Sequence, residues 1–129
     1  MKRAWLMLCI GLWTVDRGLA AVSDTDAADA IVGEAAGQPY AVKVGVGEAI
    51  HNRRTLRGVY GFHAAHNQFE PAWVWRDARR AWTESAGTNV VKGATHFGSA
   101  ADVAKGVFKG MRLVAVIGTG RNATYFFSL

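Results

Sequence analysis

The period of the hydrophobic pattern changes once along this chain, and that change constrains its fold more than any other feature. Up to Trp82 apolar residues recur at helical spacing; beyond Val90 they fall in short β-prone runs. The order predicts an α+β domain, helices first and then a small antiparallel β-sheet or hairpin.

Residues 26–36 read as the first helix. Thr25 or Asp26 caps it, Asp26 and Asp29 sit in a first turn whose dipole favours acids, and Gly37 and Pro39 end it. Residues 40–54 carry two periods. Val42, Val44 and Val46 alternate as in a strand, whereas Val42, Val46, Ala49, Ile50 and Arg53 share one helical stripe. The stripe runs further, so a second helix is expected, although Gly45 and Gly47 each cost it about 1 kcal/mol unless a close neighbour needs them small. Residues 55–70, with Gly58, Gly61 and little periodicity, read as loop. Pro71 opens a third helix whose inner face is Val74, Ala78, Ala81 and Trp82, with Arg76, Arg79 and Arg80 turned away and Gly87 at its end. Residues 90–97 predict a strand and residues 100–110 a short helix. Residues 113–117 and 124–127, split by Gly118-Thr119-Gly120-Arg121-Asn122, predict a β-hairpin.

At 129 residues, with no linker, repeat or low-complexity tract, one domain is expected. Residues 1–20 read as a signal peptide: basic Lys2 and Arg3, an apolar run over residues 4–15, and the small residues of Gly18-Leu19-Ala20 before a cut. Residues 21–129 are then the exported domain, expected in the periplasm or cell envelope. The apolar run is shorter than the roughly 20 residues of a membrane span, so no stable span is expected after cleavage. Asp16 and Arg17 are atypical before a cut, and an uncleaved anchor in a larger envelope machine is the alternative they raise. Cys9, the single cysteine, lies inside the leader, which excludes a disulfide and thiol chemistry from the mature domain. Of 15 Lys and Arg and 10 Asp and Glu, the leader holds Lys2, Arg3, Arg17 and Asp16; the remaining 12 and 9 leave +3. That mild basic bias suits an anionic envelope polymer and is too weak to argue for nucleic acid.

Glu34 is the candidate catalytic residue. At 100° per residue Ala27, Ala30 and Ile31 lie within about 60° of it on the first helix, whereas Asp29 lies about 140° away and reads as solvated. A carboxylate inside an apolar stripe loses hydration, which raises its pKa toward that of a general acid for glycosidic cleavage.

The run Gly33-Glu34-Ala35-Ala36-Gly37-Gln38-Pro39, followed by Val46-Gly47-Glu48-Ala49-Ile50-His51-Asn52-Arg53, resembles the cell-wall hydrolase family typified by the spore-cortex-lytic enzymes of bacilli. Gln68-Phe69, Gly93-Ala94-Thr95-His96-Phe97, Ile117-Gly118 and Tyr125-Phe126-Phe127 resemble later motifs of that family, in its order, over residues 30–128. The resemblance implies a lysozyme-like fold, peptidoglycan as substrate and no cofactor. It also implies cleavage of the β-1,4 bond between N-acetylmuramic acid and N-acetylglucosamine, with Glu34 as acid/base. Many members are lytic transglycosylases, in which one carboxylate protonates the leaving oxygen and then takes the proton of the sugar's own 6-hydroxyl. The chain departs from the family at Thr124, which stands where His is common, and in the longer turn before it. That departure raises a non-catalytic wall-binding accessory protein as the alternative.

Substrate contacts are expected from Gln68, Thr95 and Tyr125 in the matched motifs. His96 either touches substrate or packs, and Asn52 either bonds substrate or caps its helix. Arg53, on the apolar stripe, reads as structural, bonded to a carboxylate or to carbonyls. Trp73 and Trp75 suit stacking on sugars, while Trp82 reads as core. A hydrolase needs a second carboxylate. Glu70, Asp77, Glu84 and Asp102 are candidates, none within a motif, and Glu48 reads as solvated, about 145° from its helix's stripe. The lack of a marked partner favours the single-carboxylate route. His63-x-x-His66 has no Cys and no third ligand beside it, so no metal is expected. Asn122-Ala123-Thr124 matches a glycosylation sequon and reads as chance.

Overall fold

A computed structural model describes residues 21–129; the leader, its cut and Cys9 lie outside the described residues. The first described helix, α1 (Asp24–Ala35), begins earlier than its apolar stripe, because extended Ser23 caps it. Ser23 Oγ accepts the Asp26 N–H at 3.2 Å, which displaces Thr25 and Asp26 from that role.

The ambiguous second segment is helix α2 (Tyr40–Arg53), and every residue from 42 to 50 is buried. Its strand-like alternation therefore reflects a helix enclosed on all sides. The two glycines that weaken it are contact points. A Cβ on Gly45 would lie 2.7 Å from Phe126 Cζ, and one on Gly47 would lie 2.5 Å from Ser85 Oγ.

Enclosure also overturns the solvated reading of Glu48, which is 2% exposed. Its carboxylate accepts Thr88 Oγ1 at 2.6 Å and the Val91 N–H at 2.9 Å. That bond explains why residues 90–97 do not form one strand. Val91 N–H is spent on Glu48, Asn89 Oδ1 takes Gly93 N–H, and Lys92 and Gly93 turn the chain at φ 54° and 80°. Glu48→Ala leaves the buried Val91 N–H without its acceptor and removes the Thr88 bond, and a loss of about 1–3 kcal/mol is expected in urea unfolding.

Helix α3 (Ala72–Ser85) follows Pro71 and buries Val74, Ala78, Ala81 and Trp82, as the period requires. Trp82 stacks on His51 with ring centroids 3.6 Å apart and donates its indole N–H to Asp24 Oδ1 at 2.8 Å, so it joins all three helices. At the other end Tyr40 donates its hydroxyl to Glu84, and the Arg80 guanidinium lies 4.8 Å above the Tyr40 ring.

Three antiparallel strands, β1 (His96–Ser99), β2 (Arg112–Ile117) and β3 (Thr124–Ser128), form a sheet in the order β1-β3-β2. The β2–β3 pair is the hairpin read from sequence, with a register shift between Leu113 and Ala115. Strand β1 covers the other edge of β3, pairing Phe97 with Phe126 and Ser99 with Thr124. Phe126, fully buried, joins Val91 and Ala94 in a second core cluster. Between β1 and β2 lies α4 (Ala100–Ala104), shorter than the helix expected over residues 100–110 because Gly106 and Gly110 turn the chain at positive φ. A 3₁₀ turn, Ala65–Phe69, interrupts the segment read as loop. The domain is α+β with helices first, and among the described residues no helix is long and apolar enough to cross a membrane.

Candidate functional site

The last turns of α1 and the chain after α2 touch backbone to backbone. A Cβ on Gly33 would run into the Gly61 carbonyl, and one on Gly61 would lie 2.5 Å from Glu34 N and 2.8 Å from Glu34 Cγ. Because both are glycine, Gly61 N–H reaches Glu34 Oε1 at 2.7 Å. Three further bonds hold this approach. His63 donates its N–H to Asp29 Oδ2 at 2.5 Å, and the buried Asn67 amide bridges Gly61 O at 2.9 Å and Asp29 O at 3.1 Å. Asp29 is therefore not a solvated acid: its side chain is 18% exposed and pairs with His63 Nδ1 at 3.7 Å.

Glu34 opens into a cleft of about 560 Å³. The helical side of the cleft consists of Glu34, Gln38 and Arg53, with Val59 and Tyr60 from the loop. The sheet side consists of residues 96–99, Asp102 on α4, Val107 and Phe108, Arg121 and Ala123 before β3, and Thr124 at its start. Tyr60, 93% exposed, stands at the rim.

Burial pushes the Glu34 carboxyl above its ordinary 4.5; the Gly61 N–H and the Arg53 cation act against this, and the Asp102 charge adds to it. Its Oε1 is fixed by Gly61, and its Oε2 has no hydrogen bond among the described residues. Glu34 thus differs from Glu48, whose two oxygens are both taken by the fold. Arg53 donates to the Arg57 carbonyl, the structural contact expected of it, and also lines the cleft. Burial and the Arg53 charge lower the His96 pKa, so the ring is neutral at pH 7. Its Nδ1 sits 2.8 Å from Thr95 Oγ1, which orients it.

Of the residues singled out by sequence, Glu34 and His96 line the cleft, and Thr95 acts on it through His96. The other expected substrate contacts do not line it. Asn52 donates to Ala94 O at 2.9 Å, neither capping α2 nor facing the cleft. Gln68 bonds back to Ala65 O within its own turn. Tyr125 pairs with Gly98 and Val116 inside the sheet. Trp73 lies outside, 51% exposed, with Lys43 Nζ 5.5 Å from its ring centre, and Trp75 packs on the main core. Sequence reasoning missed Tyr60, Gly61, Asn67 and Arg121. Asn67 adjoins the Gln68-Phe69 motif, and the inward residue is Asn67 because the 3₁₀ turn carries Gln68 outward. Asp102 was one of four unmarked carboxylates; among them it alone lines the cleft. No group of three or more His, Cys, Asp or Glu able to hold a metal occurs among the described residues.

A second cavity, about 640 Å³, lies by the start of the described chain between Val22, Ile50, His51 and Trp82. Its acid and its imidazole serve the fold: Asp24 takes the Trp82 indole, and His51 Nε2 meets Trp82 O at 3.2 Å. The Glu34 cleft is the one with a carboxyl raised by burial and with an oxygen free of hydrogen bonds among the described residues. No family model matches the chain, and no curated protein and no solved structure matches it.

Proposed function

We propose that this protein is an exported enzyme of the periplasm or cell envelope that cleaves peptidoglycan glycan strands, with Glu34 as general acid/base. The observation that carries this reading is the Glu34 carboxyl itself: raised by burial, fixed through one oxygen by Gly61, and presenting the other to a polar cleft. The order of motifs around it supports a lysozyme-like domain acting on the bond between N-acetylmuramic acid and N-acetylglucosamine. In its protonated form Glu34 donates to the glycosidic oxygen as the C1–O bond breaks. Neutral His96 and the Arg53 and Arg121 cations supply polar contacts to a sugar chain carrying acidic peptide stems.

A zymogram on purified peptidoglycan tests this, with clearing expected from the wild type and none from Glu34→Gln. Equal clearing by both removes Glu34 from the chemistry. Sedimentation with the wall, with no fragments released under any condition, favours the accessory-protein reading instead.

Tyr60 supplies the aromatic face that Trp73 and Trp75 do not. Tyr60→Ala is expected to raise KM for glycan about 10-fold, the equivalent of one lost aromatic contact, with an unchanged melting temperature because the ring is exposed.

A further inference from the structure

The cleft holds one carboxylate besides Glu34 among the described residues, Asp102, and it reaches the cleft from the opposite side of the fold. Asp102 Oδ2 accepts both the Ser99 N–H and the Ser99 hydroxyl at 3.0 Å, while the Asp102 N–H bonds back to Ser99 Oγ at 3.2 Å. These bonds make a capping box on α4 and fix the side chain. A cap engages only Oδ2; Oδ1 takes no hydrogen bond among the described residues and is free for the cleft. From the geometry we infer, on the reading of Glu34 as a glycan-cleaving acid, that Asp102 is the second catalytic carboxylate and activates a water for hydrolysis.

The environments of the two groups support the division of labour. The Ser99 bonds hold the Asp102 carboxyl below its ordinary 3.8, while burial holds Glu34 above 4.5. One cleft thus contains two carboxyls whose environments push their pKa values apart, Glu34 upward and Asp102 downward. Glu34 gives its proton to the glycosidic oxygen, and the C1–O electron pair stays on that oxygen. A water oxygen bonds to C1 and its proton passes to Asp102. Solvent returns the proton from Asp102 to Glu34. One water is consumed, nothing is oxidised or reduced, and the product carries a reducing end. This departs from the single-acid expectation, which rested on the many lytic transglycosylases of the resembled family and on the lack of a marked partner.

The test digests purified peptidoglycan in H₂¹⁸O with the full chain and reads product masses. One ¹⁸O per new reducing end is expected; anhydro ends without label overturn the role of Asp102 while leaving Glu34 as the acid. Release of nothing by the wild type refutes the glycan reading itself. Asp102→Ala is expected to lose about 100-fold or more in rate, to lose the acid limb of the pH profile, and to recover activity in azide or formate. Ser99→Ala keeps the carboxylate and its bond from the residue 99 N–H but removes the hydroxyl bond to Oδ2, so its acid limb moves to higher pH. Full activity of Asp102→Ala, or an acid limb unmoved in Ser99→Ala, contradicts the inference.

Discussion

Glu34→Gln is expected to abolish glycan cleavage, with a loss of about 100-fold to 10,000-fold, and to make the protein more stable at pH 7. Both effects follow from one carboxyl. Glutamine still accepts the Gly61 N–H through Oε1, so the contact between α1 and the loop survives. What it lacks is the transferable proton and the half-buried negative charge. The Glu34 pKa is raised on folding. Its contribution to stability is therefore complete below the unfolded-state value near 4.5 and is lost as pH rises through the folded value. Melting temperatures of the two proteins should converge below about pH 4.5 and separate toward neutrality, with the variant higher. A residue kept only to clamp the loop would behave otherwise: the variant would never be the more stable of the two.

The second large effect is expected at Gly61. In Gly61→Ala the added carbon meets Glu34 N, a backbone atom that no rotamer change can move away. The loop must retreat, and the bonds from Gly61 to Glu34 and from Asn67 to Gly61 lengthen together. Overpacking of this kind costs about 3 kcal/mol, or roughly 10–20 °C in melting temperature for a domain of this size. Activity should fall with it, because Glu34 loses the bond that aims it. Gly33→Ala meets the Gly61 carbonyl and should behave alike. Gly37→Ala, in the same Gly-Glu-Ala-Ala-Gly run, has nothing within 4 Å of the added carbon and should unfold within about 0.5 kcal/mol of the wild type. The three variants separate the glycine that brings two backbones together from the one that merely follows a helix.

The helices and the hairpin were legible because each depends on near neighbours in sequence. The face Val74, Ala78, Ala81 and Trp82 is a period of one helix, and the β2–β3 hairpin is set by its own turn. Where the expectations failed, a distant partner decided. Glu48 lies on the side of α2 that a two-layer protein would leave wet, and only the fold brings Thr88 and Val91 over it. The turn at residues 91–93 follows from that same bond rather than from the β-propensity of Val90 and Val91. Glu34 could be found from its stripe, because the burial that raises its pKa begins on its own helix. Its partners could not. Gly61 and Asn67, which hold the loop against Glu34, and Tyr60 and Asp102, which line the cleft with it, come from a loop, a 3₁₀ turn and a five-residue helix, elements that carry no period.

Mass spectrometry of the soluble fraction from purified peptidoglycan sacculi, incubated with wild-type protein and with Glu34→Gln, tests the central claim most directly. Muropeptide fragments ending in N-acetylmuramic acid are expected from the wild type alone. Intact sacculi with both proteins, or identical fragments from both, would contradict the assignment of Glu34 as the acid that cuts the glycan.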